Sequence, residues 1–168
     1  IALTPVFRIA GDQGYPQYPS GTVVVTSVRA PYSYNEGDVV MIGSGGNAVP
    51  VRIISADEGS YSEYHDGRIS ILGEELPQTV RSAAELEALG FVNDENIYAE
   101  TGRTKGYYIA RLPGQAKPSE AERLIISKGE ILVCPDNRVA LKPSVIKRED
   151  VISRIEFAIP FIGRPAHD

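Results

Sequence analysis

"NEGDVVMIGSGGNAVPVRIIS", residues 35–55, decides how this chain is read. Two runs rich in β-branched residues, 39–42 and 49–54, stand on either side of "GSGGN" at 43–47. β-Branched side chains favour the extended backbone, and clustered glycines adopt the conformations that a chain reversal needs. The stretch reads as two strands joined by a turn, entered through a second turn, "NEGD" at 35–38. The same punctuation recurs outward from it. Further strands are expected at 6–9, 22–28, 68–72, 107–111, 131–134 and 155–159, with turns at "HDG" (65–67) and "LGEELP" (72–77). Short, closely spaced strands predict a mostly β fold, a compact coiled or folded-over barrel.

One helix interrupts the pattern. In "SAAELEALG", 82–90, Ser82 can cap the first turn and Glu85, three residues on, can cap it reciprocally. Gly90 then stops it. A second helical turn is expected at 119–123. Both lie in 79–123, which is read as a small α-containing insertion within a single domain spanning 1–168.

Bulk properties narrow the partners. With 168 residues the chain is one domain's worth, long enough to bury a core without staples. Its net charge is −5 and no basic stripe runs through it, so nucleic acid is not an expected partner. The single cysteine, Cys134, excludes an intrachain disulfide and reads as a small buried hydrophobe. One cysteine and two separated histidines, His65 and His167, make a zinc site of the usual ligands improbable. "GSGGN" lacks the lysine of a phosphate loop, so no cofactor is expected. The acidic run "DEGSYSEYHDG" holds Asp57, Glu58, Glu63 and Asp66 beside His65. It reads as a solvated hairpin edge, with a weak cation site as the alternative. No apolar run approaches a membrane span. The chain begins at Ile1 without methionine, so its start is either processed or cut from a longer chain. Membrane attachment is expected only through a segment outside these residues.

The order of five segments resembles the type I signal peptidases, membrane-anchored serine peptidases related to the self-cleaving repressor domains. "GDQGYPQYPSGTVVV" is similar to their nucleophile segment at Gly11, Pro16, Gly21 and 23–25, with Gln13 and Gly14 in the serine–methionine positions. "NEGDVVMI" is similar to their Gly-Asp strand at Gly37, Asp38, Val39 and Val40. "VPVRIIS" keeps Arg52 and the aliphatic residues after it but has Val51 where the family has its lysine or histidine base. "HDGRISILGEELP" resembles the hairpin that follows, and "VCPDNR" keeps Asp136, Asn137 and Arg138 without the later aspartate-bearing run. The resemblance covers most of the chain outside 79–123.

What the resemblance implies is a coiled β-barrel of signal-peptidase type with its chemistry removed. An amide at 13 is no nucleophile and a valine at 51 takes no proton. Gln13 and Val51 are therefore relict positions. Gln13 is expected to hydrogen-bond backbone groups, and Arg52, Asp136, Asn137 and Arg138 are expected to be framework residues. The primary expectation is a pseudoenzyme, extracytoplasmic like the family, acting as a structural or binding subunit. It would self-assemble into an oligomer or filament by strand addition. The apolar ends "IALTPVF" and "FAIPFIGRP" supply the expected interface: Ile1, Ala2, Leu3, Val6, Phe157, Ile159, Phe161 and Ile162. Two alternatives stay open. One is an active serine endopeptidase with a Ser–Lys dyad drawn from Ser20, Ser44, Lys128 and Lys142. The other is an inactive regulator that sequesters extended peptides near Gln13 and Val51.

Overall fold

The computed structural model describes residues 4–44, 47–91, 94–114, 121–139 and 141–159. The 35–55 stretch forms a hairpin of β3 (Val39–Ser44) and β4 (Asn47–Ser55), with Val39 opposite Arg52 and Ser44 opposite Asn47. The strands reach further into the glycines than the 43–47 turn predicts, because Gly43 and Ser44 pair with Ala48 and Asn47.

This hairpin sits inside a seven-stranded antiparallel sheet. Its order is β1 (Val6–Arg8), β2 (Val23–Ser27), β14 (Val151–Ile159), β3, β4, β12 (Glu130–Cys134) and β13 (Ser144–Lys147). A four-stranded sheet runs β11 (Glu122–Ile125), β5 (Tyr61–His65), β6 (Arg68–Ile71), β7 (Glu74–Glu75). A three-stranded sheet runs β10 (Gly106–Ala110), β9 (Ile97–Thr101), β8 (Gln78–Val80). The fold is thus mostly β with open antiparallel sheets. None of the three closes into a barrel among the described residues. Closure of the large sheet would require β1 to meet β13. Instead β1 ends free and β13 lies beside β11.

Burial explains which strands were legible. β4 and β12 are covered on both faces, so they read as continuous apolar runs. Val51, Ile53, Ile131 and Val133 pack with Tyr34, Val40 and Val151 on one face. On the other, Ile54, Leu132 and Cys134 pack with Ile69, Ile71, Tyr107 and Ile109, which joins all three sheets in one core. Ile9, Val24, Val39, Met41 and Ile155 fill a third cluster beneath β1–β2–β14. β5, β8, β9, β11 and β13 escaped the sequence reading, as did the two-residue β7 inside the turn expected at 72–77. They are short and mix polar with apolar residues, as in "YSEYH" and "SVIK", so tertiary pairing selects them over propensity. The helical turn expected at 119–123 is a correction: Glu122 and Arg123 belong to β11, opposite Tyr64 and Glu63. Residues 119 and 120 lie outside the described residues.

Two local expectations hold in atomic detail. "HDG" turns β5 into β6 with Asp66 at φ 52° and Gly67 at φ 80°, the mirror-image turn that matches strand twist. The helix, α1, spans Ala83–Ala88 with the full capping box. Ser82 Oγ accepts from Glu85 N at 3.2 Å, and Glu85 Oε2 accepts from Ser82 N at 2.9 Å. Ser82→Ala is expected to cost about 1 kcal/mol, measured by urea denaturation.

Candidate functional site

The segment that resembles a nucleophile loop is a tight turn, with Tyr15 N donating to Asp12 O and Tyr18 N to Gly14 O. Residue 14 has no room for a side chain. A Cβ there would lie 2.6 Å from Tyr18 O and 3.0 Å from Pro50 Cγ. Gln13 folds over Gly11, where a Cβ would meet its Oε1 at 2.6 Å. The expectation that this amide bonds to backbone is corrected. Its Oε1 is buried without a hydrogen-bond partner among the described residues. It is the backbone carbonyl of Gln13 that is held, accepting from Asn137 N at 3.2 Å.

Val51 does not share this ground. Successive side chains on a strand point to opposite faces. The β4 residue touching the turn is Pro50, whereas Val51 packs with Val40, Ile53, Ile131 and Val133. Position 13 therefore offers an amide, and the β4 residue against Gly14 is an imino acid. Neither donates or accepts a proton in a peptidase cycle.

The three residues of "DNR" each tie down a different part of the molecule. Asp136 takes a two-pronged contact from Arg52, Nε to Oδ1 at 2.8 Å and Nη2 to Oδ2 at 2.7 Å, both side chains being buried. Arg52 Nη1 also donates to Gly37 O at 2.7 Å. Asn137 Nδ2 donates to Asp12 O at 3.0 Å, which pins the turn bearing Gln13. Arg138 reaches β9, where Nη1 and Nη2 meet the Glu100 carboxylate at 2.6 and 2.7 Å with both side chains fully buried. Ala110 N donates to Asp136 O and Arg138 N to Ala110 O, so β10 is clamped to the same tripeptide.

Tyr107 couples the two ion pairs. The Arg52 guanidinium lies 4.3 Å from its ring centroid, and its hydroxyl donates to Glu100 Oε1 at 2.7 Å. Gln78 Nε2 donates to Glu100 Oε2 at 2.9 Å, and Arg111 Nε donates to Gln78 Oε1 at 2.6 Å. Burial pushes the Glu100 carboxyl up, but the Arg138 charge and these hydrogen bonds outweigh it and hold it below the usual carboxylate value. Burial pushes the Cys134 thiol up to about 12, so it packs as a neutral side chain. Sequence reading missed Glu100 and Tyr107. Glu100 lies in β9, a strand the sequence reading missed, and the Tyr107 hydroxyl sits in a strand read for its apolar residues; the signal that could have found Glu100 is Arg138, a cation in need of a buried acid.

The acidic run does not converge. Glu58 accepts from Gly129 N at 2.9 Å and Tyr32 OH at 3.2 Å, while Asp57 sits 3.6 Å from Arg103. Asp66 accepts from Gly114 N at 2.8 Å. Among the described residues no three His, Cys, Asp or Glu side chains gather as a metal set. Of the dyad candidates, Lys142 is 2.7 Å from Glu122, Lys128 lies in an exposed turn and Ser20 is exposed. The side chain of Ser44 lies outside the described residues.

Of the expected interface residues, Val6, Phe157 and Ile159 are described, and all three are exposed at 58%, 56% and 44%. Ile1, Ala2, Leu3, Phe161 and Ile162 lie outside the described residues. The structure brings Val6 and Phe157 into one row, both paired to Val25 of β2. Arg8, Val23 and Ile159 form the next. Compared with known proteins, the chain matches no family model and no curated sequence.

Proposed function

We propose that this chain is a non-enzymatic, extracytoplasmic subunit of signal-peptidase-like design that binds by strand addition at the end of β14. The observation that carries this reading is the second half of that strand. Among the described residues β14 pairs with β3 only from Val151 to Arg154, and beyond that point with β2 alone. Glu156, Phe157, Ala158 and Ile159 are all exposed, so an extended backbone stands open along one side with apolar side chains beside it. Native proteins normally shorten, charge, bulge or cover such an edge; here Glu156, paired with Arg29 and Arg154, sits at a bulge, and Phe157, Ala158 and Ile159 beyond it carry no charge and offer a template for another strand. Gln13, Pro50 and Val51 support the absence of peptidase chemistry, since none of them is a nucleophile or a base.

Apolar burial alone does not drive the association. Fully covering Val6, Phe157 and Ile159 contributes about 1.5–3 kcal/mol each, comparable with the ~4–15 kcal/mol lost in joining two molecules. Backbone hydrogen bonds along the open strand have to make up the rest. The test is particle mass by light scattering, with negative-stain microscopy. Wild-type protein is expected to form regular assemblies, and Phe157→Asp to reduce them to monomers with an unchanged thermal transition. Wild-type protein that stays monomeric at high concentration and binds no added strand overturns the proposal.

A further inference from the structure

We infer that the occupant of the open β14 edge is β1 of a second copy of this chain, so that copies join head to tail into an open filament; this rests on the strand-addition reading above. Among the described residues the large sheet has a second unpaired edge close to the first, the outer side of β1. Thr26 N donates to Pro5 O, Ile9 N donates to Thr22 O, and Gly21 N donates to Ile9 O. Residues 5 and 9 therefore face β2, and by alternation residue 7 does too, which leaves the N–H and C=O of Val6 and Arg8 pointing outward. Pro5, which has no N–H, is spent on the β2 side and does not interrupt the free edge.

The two edges match in side-chain pattern. Residues 5–9 follow β2 from Thr26 to Thr22, and residues 155–159, the open part of β14, follow it from Thr26 to Val23 with a bulge at Glu156. Their outer-face rows are the same two rows, Val6–Val25–Phe157 and Arg8–Val23–Ile159. A neighbouring β1 laid on β14 extends both rows and sets Val6 of the next copy beside Phe157. Arg8, which donates to Gly21 O at 3.4 Å, comes beside Ile159. Direction is also compatible. β1 and β14 each run antiparallel to β2, so they run the same way, and copies repeated along the sheet meet as parallel strands. Because the joining surfaces differ, one contact leaves the other edge free. Such heterologous contacts propagate unless the rotation happens to close a ring.

Cysteine pairing tests the inference. Arg8→Cys and Ile159→Cys share a row, and both leave Phe157 in place. Cys134 is fully buried and does not compete. Under copper-catalysed air oxidation, a mixture of the two single variants is expected to give the mixed dimer, and the double variant a covalent ladder beyond dimers. Cross-links only between like variants mean two-fold closure and overturn the head-to-tail inference. Assemblies of normal size with no cross-link mean that another surface joins them, which overturns the inference and leaves the subunit reading standing. Monomers from wild type and variants alike overturn the inference, and overturn the strand-addition reading too when no added strand binds.

Discussion

Arg138→Ala is expected to destabilise the fold by about 3–5 kcal/mol, the cost of leaving a carboxylate buried without its counter-charge. Glu100 and Arg138 are each fully buried, and each closes on the other through two hydrogen bonds. Removing Arg138 also takes one of two donors from the Gly67 carbonyl, which accepts from Nη1 at 3.0 Å and from Gln78 Nε2 at 3.1 Å. Urea denaturation checks the magnitude. Arg138→Met combined with Glu100→Leu is expected to recover part of the loss, since it removes both charges. Recovery stays incomplete because the Tyr107 hydroxyl loses its acceptor, at about 1–3 kcal/mol for a buried group left unpaired, whereas Gln78 Nε2 keeps Gly67 O. A double variant as unstable as Arg138→Ala would show that shape, not charge, holds these strands.

The same pair sets an acid dependence. The Glu100 carboxyl is held below its ordinary value near 4.5, so the folded state binds its proton less readily than the unfolded state. Its contribution is fully present above that ordinary value and is lost as pH falls through the lowered folded value. The gap in stability between wild type and Glu100→Gln is therefore expected to be widest at neutral pH and to narrow below about pH 5. Urea denaturation of both proteins across that range reads it directly.

Arg52→Ala carries the second large effect, again about 3–5 kcal/mol by urea denaturation. It strands Asp136 and Gly37 O and removes the cation from the face of Tyr107. Arg52→Lys separates charge from geometry. An ammonium restores the charge but lacks the planar fork that meets both carboxylate oxygens and the carbonyl together. A loss of about 1–3 kcal/mol is expected, with faster amide exchange at Asn137. That N–H holds the turn carrying Gln13, and its neighbour Asp136 is what Arg52 positions. Full recovery in the lysine variant would reduce Arg52 to a point charge.

Much of the local structure lay in the sequence. "NEGDVVMIGSGGNAVPVRIIS" specifies a hairpin because strand residues and turn glycines alternate along it, and both preferences act within a few residues. The Ser82–Glu85 capping box and the Asp66–Gly67 turn are legible for the same reason, since each is satisfied by partners within the same few residues. Strands buried on both faces, β4 and β12, announce themselves as unbroken apolar runs. Arg52 beside Asp136 was expected as framework, although neither residue alone names the other across 84 positions.

What only the tertiary structure decided depends on contacts distant in sequence. Whether "YSEYH" or "SVIK" is a strand rests on the edge it meets, because its own propensity is too weak to choose. Whether the large sheet closes rests on where β1 and β13 end. That Glu100 is an ion-pair partner, and not one more surface acid, follows only when β9 is laid against the 136–138 turn. The open half of β14 is of the same kind. "EFAI" could be any buried strand, and it is left bare because β3 stops pairing at Arg154 while β2 continues to Ile159.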